Sequence, residues 1–93
     1  MGNENPGQSK LYQNRPNPFT EETIIEYFLP IGSNSAILYV YDMNGKQLEK
    51  FELFDKGKQQ LKIQKNKLTA GIYFYALLVD GIEVATKKMI LTD

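Results

Sequence analysis

Apolar and polar residues alternate along most of this chain in short runs separated by turn-forming residues, a period of two that marks half-buried β-strands. Residues 23–29, T-I-I-E-Y-F-L, place Ile25, Tyr27 and Leu29 on one face and Ile24, Glu26 and Phe28 on the other. Pro30, Gly32, Ser33 and Asn34 then break the run. In residues 36–42, A-I-L-Y-V-Y-D, the positions Ala36, Leu38 and Val40 are expected in the core, with Ile37, Tyr39 and Tyr41 opposite. Asn44-Gly45 follows and predicts a type I′ hairpin turn, because both residues tolerate positive φ. The return strand over 47–54 carries Leu48 out of phase with Phe51 and Leu53, the mark of a β-bulge.

Asp55-Lys56-Gly57-Lys58 reads as a turn, after which Leu61 and Ile63 alternate with Gln60, Lys62 and Gln64. Leu68 is expected to plug the bottom of the core. Residues 71–79, G-I-Y-F-Y-A-L-L-V, are apolar on both faces, as a central strand would be. Asp80-Gly81 is a further turn signal, and residues 82–91 close the domain with Lys87, Met89 and Leu91 on one face and Lys88 and Ile90 on the other. Leu11 and Tyr12 form a short edge strand in this reading. No window carries a helical period with caps. The pattern predicts an all-β fold, an immunoglobulin-like antiparallel β-sandwich of about seven short strands. The alternation does not assign strands to sheets.

Pro16 and Pro18 lie two positions apart in Asn14-Arg15-Pro16-Asn17-Pro18-Phe19. Each removes a backbone donor and pushes its predecessor toward extended geometry, so this stretch reads as a stiff arm ending on an aromatic anchor. Residues 1–10 are polar and read as a flexible linker or leader, with the domain over 11–93.

Composition narrows the chemistry. The chain has 93 residues, 11 basic and 11 acidic side chains, and a net charge of zero, which argues against a nucleic-acid partner. Histidine and cysteine are absent, which removes Ser–His and Cys–His pairs, thiolate nucleophiles, disulfides and His/Cys metal sites. No catalytic residue, cofactor or metal is expected. No apolar run approaches a membrane span, and residues 1–10 lack the apolar middle of a signal peptide. If the domain is exported, its signal peptide is expected upstream in a longer parent protein.

Asp42, Asp55 and Asp80 lie near turns, where aspartate ordinarily bonds local backbone. Glu21-Glu22 reads as a solvated loop, and Thr20, Thr23, Ser33 and Ser35 have no imidazole to activate them. The six tyrosines suit strands and cores. One surface stands apart: Ile37, Tyr39 and Tyr41 share the non-core face, and with Ile72 and Phe74 they would form an exposed contact face if their strands are neighbours. Lys87-Lys88 serves either to protect an edge strand from aggregation or to dock a partner.

Five segments together resemble a known family, the type A C-terminal sorting domain of proteins exported by the type IX (Por) secretion system of Bacteroidota. Residues 12–19, Y-Q-N-R-P-N-P-F, are similar to its Y-x-N-x-P-N-P-F opening. Residues 25–30, I-E-Y-F-L-P, match its I-x-Y/F-x-L-P strand, and 40–46, V-Y-D-M-N-G-K, match its V-Y-D-x-x-G-K/R hairpin. Leu68 with residues 71–75, G-I-Y-F-Y, matches L-x-x-G-x-Y-x-Y, and 87–91, K-K-M-I-L, match the closing strand. Thr69 stands where the family often has Pro, and Ala76 where it often has Arg.

The resemblance implies a non-catalytic address at the C-terminus of a larger secreted or cell-surface protein that passes through the periplasm. It implies recognition by an outer-membrane secretion translocon, and removal by a sortase-like protease cutting within residues 1–10. It carries Gly71, Tyr73, Lys87 and Lys88 as partner-recognition residues. The alternative is a structural, adhesive or oligomerising immunoglobulin-like module that uses Ile37, Tyr39 and Tyr41 to bind glycan or a second copy weakly.

Overall fold

The computed structural model describes residues 8–93. The linker expected over 1–10 lies outside the described residues as far as residue 7. The described residues form seven strands: β1 (Lys10–Leu11), β2 (Glu22–Leu29), β3 (Ala36–Tyr41), β4 (Gln47–Glu52), β5 (Gly57–Gln64), β6 (Gly71–Val79) and β7 (Ile82–Leu91). They make two antiparallel sheets, ordered β1-β2-β5 and β4-β3-β6-β7. This is the all-β sandwich that the alternation predicts, with β4 beside β3 as the extra strand of an immunoglobulin-type second sheet.

β2, β3 and β7 each bury one of the two faces that their alternation separates. Ile25, Tyr27 and Leu29 of β2 meet Leu38 and Val40 of β3, and Tyr73, Tyr75, Leu77 and Val79 of β6, in one core with Ile63, Met89 and Leu91. Leu68 packs against the rim of this core. The register shifts where Val40 opposes Glu49 and Tyr41 opposes Gln47, leaving Leu48 as the inserted residue. That bulge turns Leu48 onto the core despite its phase.

Three local expectations are corrected. Asn44-Gly45 does not form a type I′ turn: of the two, only Gly45 has positive φ, at 83°. The Gly45 N–H reaches the Asp42 carbonyl at 3.1 Å, and the Asp42 carboxylate accepts the N–H groups of Asn44 at 2.8 Å and Lys46 at 2.9 Å. Asp42 thus holds the loop from inside, and a three-residue hairpin of a tight turn plus a left-handed glycine displaces the two-residue one. Asp80-Gly81 does adopt positive φ at both residues, 51° and 82°. Next, β4 ends at Glu52 rather than running to 54, although the Leu53 N–H still reaches the Ala36 carbonyl at 2.9 Å; Leu53 is buried in the core and Phe54 is exposed. Finally, Gly57 and Lys58 begin β5 rather than close a turn.

The proline arm also departs from a straight extended segment. Residues 16–18 bend, and both X–Pro peptide bonds, Arg15-Pro16 and Asn17-Pro18, are cis. Arg15 still pairs with Ile24 of β2, while Phe19 bridges in parallel to Leu91 of β7. The arm therefore leaves the edge of one sheet and joins the edge of the other.

Candidate functional site

The crossing of the arm is built from named donors and acceptors. Tyr75 is fully buried on β6, and its hydroxyl donates to the Tyr12 carbonyl at 2.8 Å while accepting the Asn14 N–H at 2.7 Å. Burial pushes the Tyr75 phenol up to about 12, because the phenolate would lose its hydration, and the Asn14 N–H opposes that only in part. Asn14 is 1% exposed. Its side-chain amide donates to the Pro16 carbonyl at 3.2 Å and to Thr23 Oγ1 at 3.0 Å, and Thr23 donates in turn to the Pro16 carbonyl at 2.8 Å. Gln13 Nε2 donates to Asn14 Oδ1 and to the Lys88 carbonyl, each at 2.7 Å. Among the described residues, no buried side-chain polar atom lacks a partner.

Beyond this network the arm occupies the outer edge of β7. The Ile90 N–H donates to Asn17 Oδ1, the Phe19 N–H to the Ile90 carbonyl, and the Thr92 N–H to the Phe19 carbonyl, each at 2.9 Å. The Phe19 ring is buried beneath this pairing. Sequence reasoning identified Phe19 as an anchor but missed the polar partners Gln13, Asn14, Asn17, Thr23 and Tyr75. Their signal was the pair of asparagines set among prolines that cannot donate from their own backbone.

Gly71, Tyr73, Lys87 and Lys88 all lie on the β6–β7 hairpin, yet they do not share one surface. Tyr73 is 6% exposed, and its hydroxyl donates to the Thr69 carbonyl at 2.5 Å, pinning the loop before β6 in the manner of a tyrosine corner. Gly71 opens β6 opposite Leu91, and a Cβ there would meet only the Thr69 carbonyl at 3.9 Å, so packing does not demand glycine. Lys87 opposes Tyr75 on the inner face, half-buried, and Lys88 opposes Phe74 on the outer face, exposed. Neither ammonium is in an ion pair among the described residues, where the recorded pairs are Arg15–Glu26 and Lys62–Glu22.

The face of Ile37, Tyr39 and Tyr41 is half-buried rather than exposed. β3 and β6 are neighbours, so Ile37 opposes Leu78, Tyr39 opposes Ala76 and Tyr41 opposes Phe74, all half-buried or buried on the outer side. The Tyr39 and Tyr41 rings lie 6.0 Å apart at 35°, tilted rather than coplanar.

The acidic groups are dispersed. Asp80 accepts the N–H groups of Asn34 and Ser35, each at 2.9 Å, which hold its carboxyl below the usual carboxylate range. Burial raises the Tyr27 phenol, with a smaller push from the Asp55 charge. Glu49 stands at the bulge beside an open cleft of about 600 Å³ lined by Leu48, Asn66, Lys67 and Leu68, and burial alone raises its carboxyl. Among the described residues, no three acidic side chains converge as a metal would need. No helix among them is long and apolar enough to cross a membrane.

Comparison with known proteins gives one clear likeness. Two solved structures resemble the fold at low identity. The CARDB domain of a Pyrococcus furiosus protein aligns with a TM-score of 0.48 at 17% identity, over 91% of this chain and 86% of that one. The alkylpurine DNA glycosylase AlkC of Pseudomonas fluorescens aligns with a TM-score of 0.46 at 12% identity, over 94% of this chain and 31% of that one. Neither likeness bears on function. No curated protein matches. The family of secretion system C-terminal sorting domains matches residues 11–92, from the last residue of β1 to one residue beyond β7. The chain belongs to that family, the C-terminal sorting domains of type IX secretion.

Proposed function

We propose that this domain is a non-catalytic C-terminal sorting signal that directs a larger protein through the type IX secretion system to the cell surface, and that the export machinery reads it as a folded unit. The observation that carries the reading is the match of the sorting family across residues 11–92. The arm and its hydrogen bonds form a latch that supports the folded-unit part, because it joins the Y-x-N-x-P-N-P-F opening to Tyr75 of β6 and to Ile90 of β7, so three separate motif segments work as one tertiary object. Export passes through the periplasm under a signal peptide upstream in the parent, an outer-membrane translocon binds the domain, and a sortase-like protease removes it. Recognition falls on the β6–β7 hairpin, through Gly71, Lys87 and Lys88, with Tyr73 positioning the start of β6.

Fusing residues 1–93 to a reporter carrying a signal peptide, in a bacterium with a working type IX system, tests this. The reporter is expected at the cell surface or in the medium. A reporter held in the periplasm contradicts the reading. Gly71→Ala sharpens it: the site has room for a methyl group, so folding should be nearly unchanged while export falls.

The neighbouring placement of β3 and β6 favours a second reading, in which the Ile37, Tyr39 and Tyr41 face binds glycan or a second copy. Sedimentation showing a strict monomer, together with an empty glycan array, would remove it.

A further inference from the structure

We infer that the outer edge of β7 at Thr86–Lys88 is a docking site for an extended strand of the export machinery, one that carries adjacent acidic side chains. This inference rests on the sorting function proposed above and names the surface that function uses.

The argument begins with the direction of backbone groups. In an antiparallel pair, alternate residues point both backbone groups away from the neighbouring strand. Ile90 opposes Ile72, yet its N–H goes to Asn17 and its carbonyl to Phe19, so Ile90 faces away from β6. Lys88, two residues earlier, sends its carbonyl to Gln13, in phase. Thr86 opposes Ala76 in the same unbroken register, which shifts only beyond Ala85. The N–H groups of Thr86 and Lys88 and the carbonyl of Thr86 therefore point outward. Among the described residues the bonds of the arm to this edge run from Lys88 to Thr92, and the Thr86 backbone groups, between the arm and the Asp80-Gly81 turn, form a short window without such bonds, with β1 of the other sheet close by.

Such a window admits one more strand by main-chain pairing. The lysines decide which strand. Lys87 stands on one face of β7 beside the window and Lys88 on the other, both without an ion pair among the described residues. A second copy of this chain pairing edge to edge would bring the same lysines together and be repelled. A strand with carboxylates at successive positions, one for each face, would meet both charges. The same lysines thus discourage self-addition and favour an acidic partner.

Proline separates this from side-chain recognition. Thr86→Pro removes an outward N–H and places a ring in the path of the incoming strand, while the β6–β7 bonds stay intact. Thr86→Ala keeps the N–H and is the control. In the reporter fusion, Thr86→Pro should cut export at least about tenfold, from the lost backbone bond and the ring clash, with Thr86→Ala near the parental level. The isolated domain should keep its cooperative melt in both variants. A folded Thr86→Pro variant exported like the parent overturns the inference and leaves the sorting function standing. A parental fusion that is not exported overturns both.

Should Thr86→Pro not fold, a photo-crosslinking residue placed at position 86, and at 58 on the edge of β5, decides. An adduct with a translocon component from 86 and none from 58 supports the site. Equal adducts from both, none from 86, or an adduct between two copies contradicts it.

Discussion

The two long sides of this sandwich are finished in opposite ways. On one side, the β1 edge of the three-stranded sheet and the β7 edge of the four-stranded sheet are joined by the proline arm, with Asn14, Asn17, Phe19 and Tyr75 holding it. On the other side, β4 and β5 end their sheets, and among the described residues no further strand pairs with either. That open side presents Lys58, Gln60, Lys62 and Gln64 along β5 and a bulge in β4, the usual means of discouraging further strands. The first, second and fifth of the family-like segments, residues 12–19, 25–30 and 87–91, meet at or beside the closed side. The open side is kept from aggregating by generic polarity, whereas the closed side depends on particular residues.

Matched substitutions test this contrast most strongly. Phe19→Ala on the closed side removes a ring that is 1% exposed, and should cost about 3–5 kcal/mol. Phe54→Ala, in the loop between β4 and β5, removes one that is 76% exposed, and should change stability by no more than about 0.5 kcal/mol. Urea denaturation of the two variants beside the parent reads the difference, and similar losses would break the comparison.

Tyr75→Phe comes next. It strands the Asn14 N–H and the Tyr12 carbonyl inside the latch, at roughly 2–4 kcal/mol for two unsatisfied groups. The same residue sets an alkaline limit. The folded state holds the Tyr75 phenol protonated up to about 12, above its ordinary 10.0, so it binds more protons than the unfolded chain in that window. Its contribution is complete below pH 10 and is lost as pH rises toward 12. Melting temperatures should fall across that range in the parent, and fall less in Tyr75→Phe.

A smaller effect belongs to the end of the sandwich, where Asp80 ties the β6–β7 turn to Asn34 and Ser35. Its folded pKa is lowered, so its contribution is present above the ordinary 3.8 and is lost as pH falls through the folded value. Asp80→Asn keeps a side chain suited to positive φ and should flatten the acid decline of the melting temperature without shifting the neutral value much. An unchanged acid decline would deny the carboxylate this role.

Much of this architecture was legible in the chain. The alternation of β2 and β3 separated their two faces residue by residue, the run of β6 read as apolar on both faces, and the phase slip at Leu48 located the bulge. Side-chain periodicity reports faces, however, and says nothing of edges. For that reason the alternation could not show the arm crossing from Arg15 on one sheet to Phe19 on the other. The Asn44-Gly45 turn was misread for a different cause: Asp42 offers its own carboxylate to the loop, and that local bond outweighs the preference of the dipeptide. Of the site residues, Tyr73 proved buried and the two lysines divided between faces, as a pleated strand requires of neighbours.

Amide hydrogen exchange, resolved by residue, tests the closed edge most directly. Ile90 and Thr92 should exchange slowly, near the rate set by global unfolding, because Asn17 and Phe19 accept their N–H groups. Thr86, on β7 with no recorded partner for its N–H, should exchange quickly. Fast exchange at Ile90 and Thr92, or protection at Thr86 equal to theirs, would contradict the account.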